Sequence, residues 1–188
     1  MTIIILLNGP PRSGKDTAAE FIRSFLPNAT EYKLSKPLKM GVQAIFDIPP
    51  SVVRSLEDIK DTKAAQLHGV SYRNAQIDLF YHLKGIYGDT ILTDLAIQQI
   101  NKNIISKYVI ISDCGRQVEA EEFISHYNKD SVGLIRLKRD GCNFNEDSRE
   151  YIMEKKFPKY FAEINNEHDL GLFKQQVRRV LVKWELIE

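Results

Sequence analysis

Cysteine is scarce in this sequence, with two in 188 residues, and Cys114 and Cys142 show no short metal-type spacing. That argues against a zinc knuckle or a disulfide scaffold and leads to an expectation of reduced thiols in a cytoplasmic setting. Net charge is nearly absent as well. The 26 Lys and Arg against 25 Asp and Glu leave +1, which gives no support to broad binding of nucleic acid or a membrane surface. Any anionic ligand must then be held by a local cluster of donors. Long apolar runs are missing: residues 1–7 are apolar but only about a strand long, and are predicted to be neither a signal peptide nor a membrane span. No repeat, low-complexity tract or interdomain linker is visible. His68, His82, His126 and His168 share no metal-like spacing and read as surface or packing residues. What is present is 43% apolar residues, enough for the core of one domain.

Apolar periodicity orders the chain. Residues 3–8 are a β-branched apolar run ended by Gly9-Pro10-Pro11, predicted as a strand buried on both faces in the middle of a parallel sheet. Residues 15–25 place Ala18, Ala19, Phe21, Ile22 and Phe25 mostly on one side of a helix that Pro27 stops. A short strand is expected over 32–35 and helical patterns over 37–46, 51–66, 71–86 and 89–104, so the middle third reads as wholly helical. Residues 108–113 are the second clear buried strand, leading into Cys114-Gly115-Arg116 and a helix through about residue 127. A third strand is expected over 132–137. The polar stretch 138–146 then reads as a mobile connection before a short helix near 148–155. Residues 161–165 suggest a last strand, and Asp169 a cap for a final helix through 184. Such alternation predicts a right-handed parallel α/β sheet of about five strands flanked by helices, with ligands outside the carboxyl ends of the strands.

The sharpest motif lies at such an end. Gly9 and Gly14 enclose four residues and Lys15 follows, with a strand before and a helix after, the context a phosphate-cradling loop demands. Glycine lets several N–H groups point at one place, and the helix N-terminus adds a favourable dipole for phosphate oxygens. Lys15 brings the mobile charge for the outer phosphates. Where the ordinary motif has Ser or Thr as a magnesium ligand this chain has Asp16, with the Thr17 hydroxyl one position on. Asp16 either holds magnesium, directly or through water, or only complements the helix dipole. Ser13 lies inside the loop, and Arg12 either reaches phosphate or is a solvated charge.

The segment from Asn8 to Ile22 resembles the loop of phage deoxynucleoside monophosphate kinases, in which Gly-Lys-Asp-Thr recurs. Leu34-Ser35-Lys36-Pro37-Leu38-Lys39 is similar to that family's small-acid-Pro-Leu-Lys stretch, with Lys36 in place of the acid. The run from Ile111 to Glu121 resembles its strand-end Asp-x-Arg, with one extra residue between Asp113 and Arg116. Residues 133–139 resemble the strand ending in Arg-Pro, with Asp140 where Pro is common, and residues 164–167 its Asn-Asp-Gly turn. Arg73 matches an arginine that opens a helix, although the Leu-Gly-Thr-x-x-x-Arg stretch usual after it is missing. The resemblance implies a P-loop NTPase-type fold in one kinase domain over 1–188, with a helical acceptor-binding insertion at about 36–104 and a lid-like region at about 138–158. It also implies magnesium-dependent transfer of the γ-phosphate of ATP, or of GTP, to a deoxynucleoside monophosphate. The setting implied is the cytoplasm of a bacterial host if the gene is a phage's, and a homodimer is compatible with it.

Phosphoryl transfer needs positioning and charge neutralisation more than covalent chemistry. The catalytic candidates are Lys15, Arg116 and Arg139, with Arg139 or Arg149 on a lid that closes over the phosphates. Gly9, Arg12, Ser13, Gly14, Lys15, Asp16 and Thr17 are the expected nucleotide-binding residues, and Asn165 or Asn166 a partner for the donor purine or a turn residue. Magnesium would fall to Asp16, Thr17 and Asp113. Lys36, Lys39, Arg73 and Arg116 are candidates to clamp the acceptor phosphate, with Asp113 to orient it, although solvated charge is the commoner fate of any one Arg or Lys. Among Tyr72, Phe80, Tyr81 and Tyr87, core packing explains more than stacking on an acceptor base. Cys114 reads as a small thiol at the edge of the core rather than a nucleophile. Two other readings stand beside this one: a different small-molecule kinase of the phosphomevalonate kinase type, and a catalytically inactive nucleotide-binding regulator.

Overall fold

Six consecutive residues, Ile3–Asn8, form strand β1, which has a parallel neighbour at each edge and whose last five side chains are buried under the helices that cover the sheet faces. The computed structural model describes residues 2–103, 106–145, 147, 149–157, 159–167 and 169–188. Helix α1 (Lys15–Phe25) follows, and then β2 (Ala29–Tyr32), α2 (Lys36–Ile45), α3 (Pro50–Asp58), α4 (Tyr72–Tyr87) and α5 (Ile91–Asn103). Next come β3 (Tyr108–Ile111), α6 (Gln117–Tyr127), β4 (Val132–Lys138), β5 (Phe161–Asn165) and α7 (Leu170–Lys183). The strands make one parallel sheet in the order β2-β3-β1-β4-β5. The connection after β1 runs to the β3 side, and the one after β3 crosses to the other, so the carboxyl ends of β3, β1 and β4 frame the point where strand order reverses.

The chain divides into two compact units, Met1–Leu34 with Thr93–Glu188, and Ser35–Leu92. The first is built on the sheet. On one face, Ile5, Leu7, Ile110, Ile135 and Leu137 pack with Ala18, Ala19 and Ile22 of α1 and with Phe173, Val177 and Leu181 of α7. Phe21 meets Phe173 edge to face at 5.7 Å between ring centres. Helix α6 packs on β1 and β4 and buries Ala120 and Phe123. The second unit has its own core of Val42, Ile48, Leu56, Leu67, Tyr72 and Ala75. Ser71 caps α4 by accepting from the Asn74 N–H.

The expected α/β sheet of five strands is what the chain forms. Helix α1 and strand β5 run over the residues expected, and Asp169 caps α7 by accepting from the Leu172 N–H at 2.9 Å. Three expectations are corrected. The helical pattern over 51–66 divides into α3, which ends at Asp58, and a separate 3-10 turn at Ala65–Leu67. The second strand is Ala29–Tyr32 rather than 32–35, because pairing with β3 decides its position and the Asp113 carboxylate takes the Leu34 N–H at 2.7 Å just beyond it. No α-helix forms among the described residues of 148–155; a 3-10 turn at Glu154–Lys156 is the helical element there. Asp147 accepts from the Arg149 N–H, and Asn8 takes the Ile152 N–H and the Glu150 carbonyl, so side chains satisfy groups a helix would need. The helix end at Ile104, the end of the polar connection at Glu146, the helix start at Ser148, the end of the lid-like region at Pro158 and the role of His168 fall outside the described residues. No helix among the described residues is long and apolar enough to cross a membrane.

Candidate functional site

The loop after β1 is held from both ends. A Cβ on Gly9 would lie 2.5 Å from the Leu137 carbonyl oxygen, and one on Gly14, at φ +100°, 2.4 Å from Asn166 Nδ2. Both positions need glycine, the second twice over. Arg12 also takes a positive φ of 65°, which turns the chain back so that Ser13 N–H reaches the Pro10 carbonyl at 3.2 Å. Asn166 donates from its side chain to the Ser13 carbonyl at 3.0 Å, while its own N–H reaches the Lys138 carbonyl. Its amide nitrogen therefore braces the loop. Helix α1 begins at Lys15 with Asp16 in its first turn, so its N-terminal N–H groups open on the loop. Ser13 Oγ is buried and has no hydrogen-bond partner among the described residues.

Lys15 folds back over this loop, its Nζ donating at 2.7 Å to each of the Gly9 and Pro10 carbonyls. Burial pulls its pKa down to about 8, with help from the charge of Arg149, while Asp16, Asp147 and Asp113 oppose the shift. The residues named in that balance are the site's charged cluster. Arg149 is ion-paired with Asp147 and lies against Gly115, where a Cβ would sit 2.2 Å from its Cδ. The missing side chain at Gly115 thus leaves the space that Arg149 occupies. Asn8, fully buried at the end of β1, ties down the rest of the segment. Its side chain donates to the Cys114 and Glu150 carbonyls and accepts from the Ile152 N–H. Gly115→Ala is expected to push against the Arg149 side chain from Cδ back to Cβ and so to shift the backbone that carries it, lowering the thermal midpoint together with any phosphoryl-transfer rate. Steady-state rates and thermal unfolding of the variant check this.

The other expected residues fall into different settings. Arg116 donates from Nε and Nη2 to Glu119 Oε1, while Glu119 Oε2 accepts the Gly115 and Arg116 N–H groups. Its guanidinium is therefore paired with Glu119, whose carboxylate is what caps α6. Asp113 stands beside the loop with one oxygen on the Leu34 N–H. Arg139 reaches the Arg12 carbonyl at 3.3 Å, and lines a small concavity with Asp140, Asn166 and Glu167. Asn165 ends β5 as an exposed residue. In the helical unit Lys36 is exposed at the start of α2, Lys39 pairs with Glu57 at 2.6 Å, and Arg73 pairs with Asp61. Tyr72 and Phe80 are buried, whereas Tyr81 and Tyr87 are exposed. Burial pushes the Cys114 thiol well up, as suits a packing residue. His68 lies 6.1 Å from the Phe46 ring and His126 meets Asn101 at 3.1 Å.

Magnesium is bound by one or two carboxylates with phosphate oxygens and water completing its shell. Asp16 is a donor of that type, its side chain 78% exposed at the mouth of the loop, with the half-buried Thr17 next to it. Asp16 is engaged by Lys33 Nζ at 2.6 Å. Burial alone would lower the Lys33 pKa, but Asp16 foremost, then Glu31 and Asp113, leave it raised. Sequence reading missed Asn8, Lys33, Gly115 and Asp147. Only Asn8 carried a signal, as a polar residue ending an apolar strand.

No family model and no curated protein matches this sequence. Among solved structures, TT1252 from Thermus thermophilus matches over 97% of this chain and 97% of its own, at 15% identity and a TM-score of 0.51. A candidate kinase from Chloroflexus aurantiacus matches over 96% and 98%, at 11% identity and a TM-score of 0.45. The likeness to the Thermus protein concerns the fold, and function has to be argued from the loop and its neighbours.

Proposed function

We propose that this chain is a magnesium-dependent phosphotransferase that moves the γ-phosphate of ATP to a phosphate-bearing small molecule, with a deoxynucleoside monophosphate as the acceptor. The observation that carries the proposal is the Gly9–Lys15 loop at the carboxyl end of the central strand, with the Lys15 ammonium folded into it. The loop N–H groups and the α1 N-terminus bind the triphosphate, and Lys15 follows its outer phosphates. Asp16 and Thr17 would hold magnesium, which supplies charge neutralisation on the transferred group. Arg149, paired with Asp147, acts on Lys15 through its charge and is the first candidate for transition-state cation, ahead of Arg116, which is paired with Glu119. The concavity at Arg139 and Asn166 is the candidate seat of the donor base.

The acceptor half rests on the resemblance of the loop and of residues 34–39 to the deoxynucleotide kinases, and on a chemical fit. An acceptor phosphate attacks through an oxygen that is already anionic, so the bond to phosphorus forms, the β–γ bridging bond breaks, and the protein's part is charge and alignment. Lys39 and Arg73 are the cations of the helical unit offered for that role. Incubation with Mg-ATP and a panel of the four common deoxynucleoside monophosphates plus phosphomevalonate tests the assignment. Formation of a deoxynucleoside diphosphate is expected. Transfer to phosphomevalonate alone moves the chain to the other kinase class, and nucleotide binding without transfer to any acceptor contradicts the enzymatic reading.

A further inference from the structure

Lys33 lies one residue beyond β2, and its ammonium touches Asp16 Oδ1 at 2.6 Å. Glu31, two residues earlier and so on the same side of the strand, has Oε1 3.8 Å from that ammonium. Ser112 at the end of β3 donates to the same Glu31 oxygen at 2.6 Å, which holds the carboxylate in place. One ammonium thus has two carboxylates in reach, the exposed one on the phosphate loop and a braced one on the sheet, whose side chains are 78% and 18% exposed. Asp16 puts a negative charge at a phosphate-binding loop, where it repels a triphosphate unless a cation covers it.

Resting on the nucleotide-binding reading above, we propose that Lys33 is the counter-cation of Asp16, which a divalent cation must displace, so that Lys33 sets how strongly magnesium promotes nucleotide binding. Without metal, the ion pair masks the Asp16 charge from the triphosphate. With metal, Asp16 exchanges the ammonium for the ion, and Lys33 retains Glu31 as a partner. The exchange costs the Lys33–Asp16 contact, a solvated pair, so magnesium gains less from Asp16 than it would from a bare carboxylate.

The test is the affinity of a non-hydrolysable ATP analogue, measured by calorimetry in magnesium chloride and again in EDTA. The quantity read is the ratio of the EDTA Kd to the magnesium Kd. Plain loss of a positive charge weakens the EDTA arm more, because the metal-free analogue is more anionic than its magnesium complex, and the Asp16→Asn background measures that contribution by itself. Lys33→Met is expected to raise the ratio about two- to fivefold over wild type, while Lys33→Arg keeps it near the wild-type value. In an Asp16→Asn background, adding Lys33→Met is expected to raise the ratio by clearly less than it does when Asp16 is present. An unchanged ratio in Lys33→Met, or an equal rise in the Asp16→Asn background, overturns the inference and leaves nucleotide binding intact. Failure of the wild-type protein to bind the analogue in either buffer instead removes the nucleotide-binding reading and this inference with it.

Discussion

Replacing Lys15 by alanine is expected to reduce phosphoryl transfer by about 100- to 1,000-fold or more, the scale seen when one preorganised charge donor is removed from a transition state. Its ammonium is the positive side chain folded into the loop, over the Gly9 and Pro10 carbonyls, and no neighbour can replace it from the same backbone position. The fold should survive. A lysine whose pKa is lowered from 10.5 to about 8 is one whose charge the folded state penalises. Between those values the unfolded chain holds a proton that the folded chain has released, so stability rises with pH across that window. The alanine variant removes the penalty together with this part of the pH dependence. Rates and thermal unfolding measured at pH 7 and pH 9 check both halves; a variant within twofold of wild-type activity would take the loop out of the mechanism.

Asn8→Ala is expected to cost stability rather than contacts to substrate. The residue is fully buried, and its amide makes three hydrogen bonds, to Cys114, Glu150 and Ile152. Truncation leaves those backbone groups without partners away from water, at a cost of about 2–4 kcal/mol. In a domain of this size that corresponds to a fall in Tm of roughly 6–12 °C. Because the same bonds hold the segment that carries Arg149, residual activity should fall by more than the unfolded fraction explains. Unfolding curves and rates on the same samples separate the two effects. A Tm within about 2 °C of wild type would show that water replaces the amide at little cost.

The parallel sheet, the glycine loop and the ends of α1 and β5 were legible because each depends on local pattern: apolar runs, Gly and Pro punctuation, and a cap at Asp169. What sequence could not reveal depends on pairing at a distance. Strand β2 reads as a polar stretch, Ala29–Tyr32, and becomes a strand only because β3 offers its edge. Residues 149–152 carry helix-permitting side chains, yet Asn8, 142 positions before Glu150, claims their backbone. The pairing of Arg116 with Glu119, whose carboxylate also caps α6, is likewise a contact that the strand-end motif does not announce. Arg149 and Lys33 came to the loop through Gly115 and through the β2 terminus, contacts that no motif encodes.

Direct calorimetric titration of the wild-type protein and Lys15→Ala with a magnesium-bound, non-hydrolysable ATP analogue reaches the central claim with the fewest steps. One nucleotide bound per chain is predicted for the wild type, with affinity reduced about 100-fold or more in the variant although it still unfolds in one cooperative thermal transition. No binding by the wild type, or equal binding by both proteins, would contradict the assignment of Gly9–Lys15 as a triphosphate cradle.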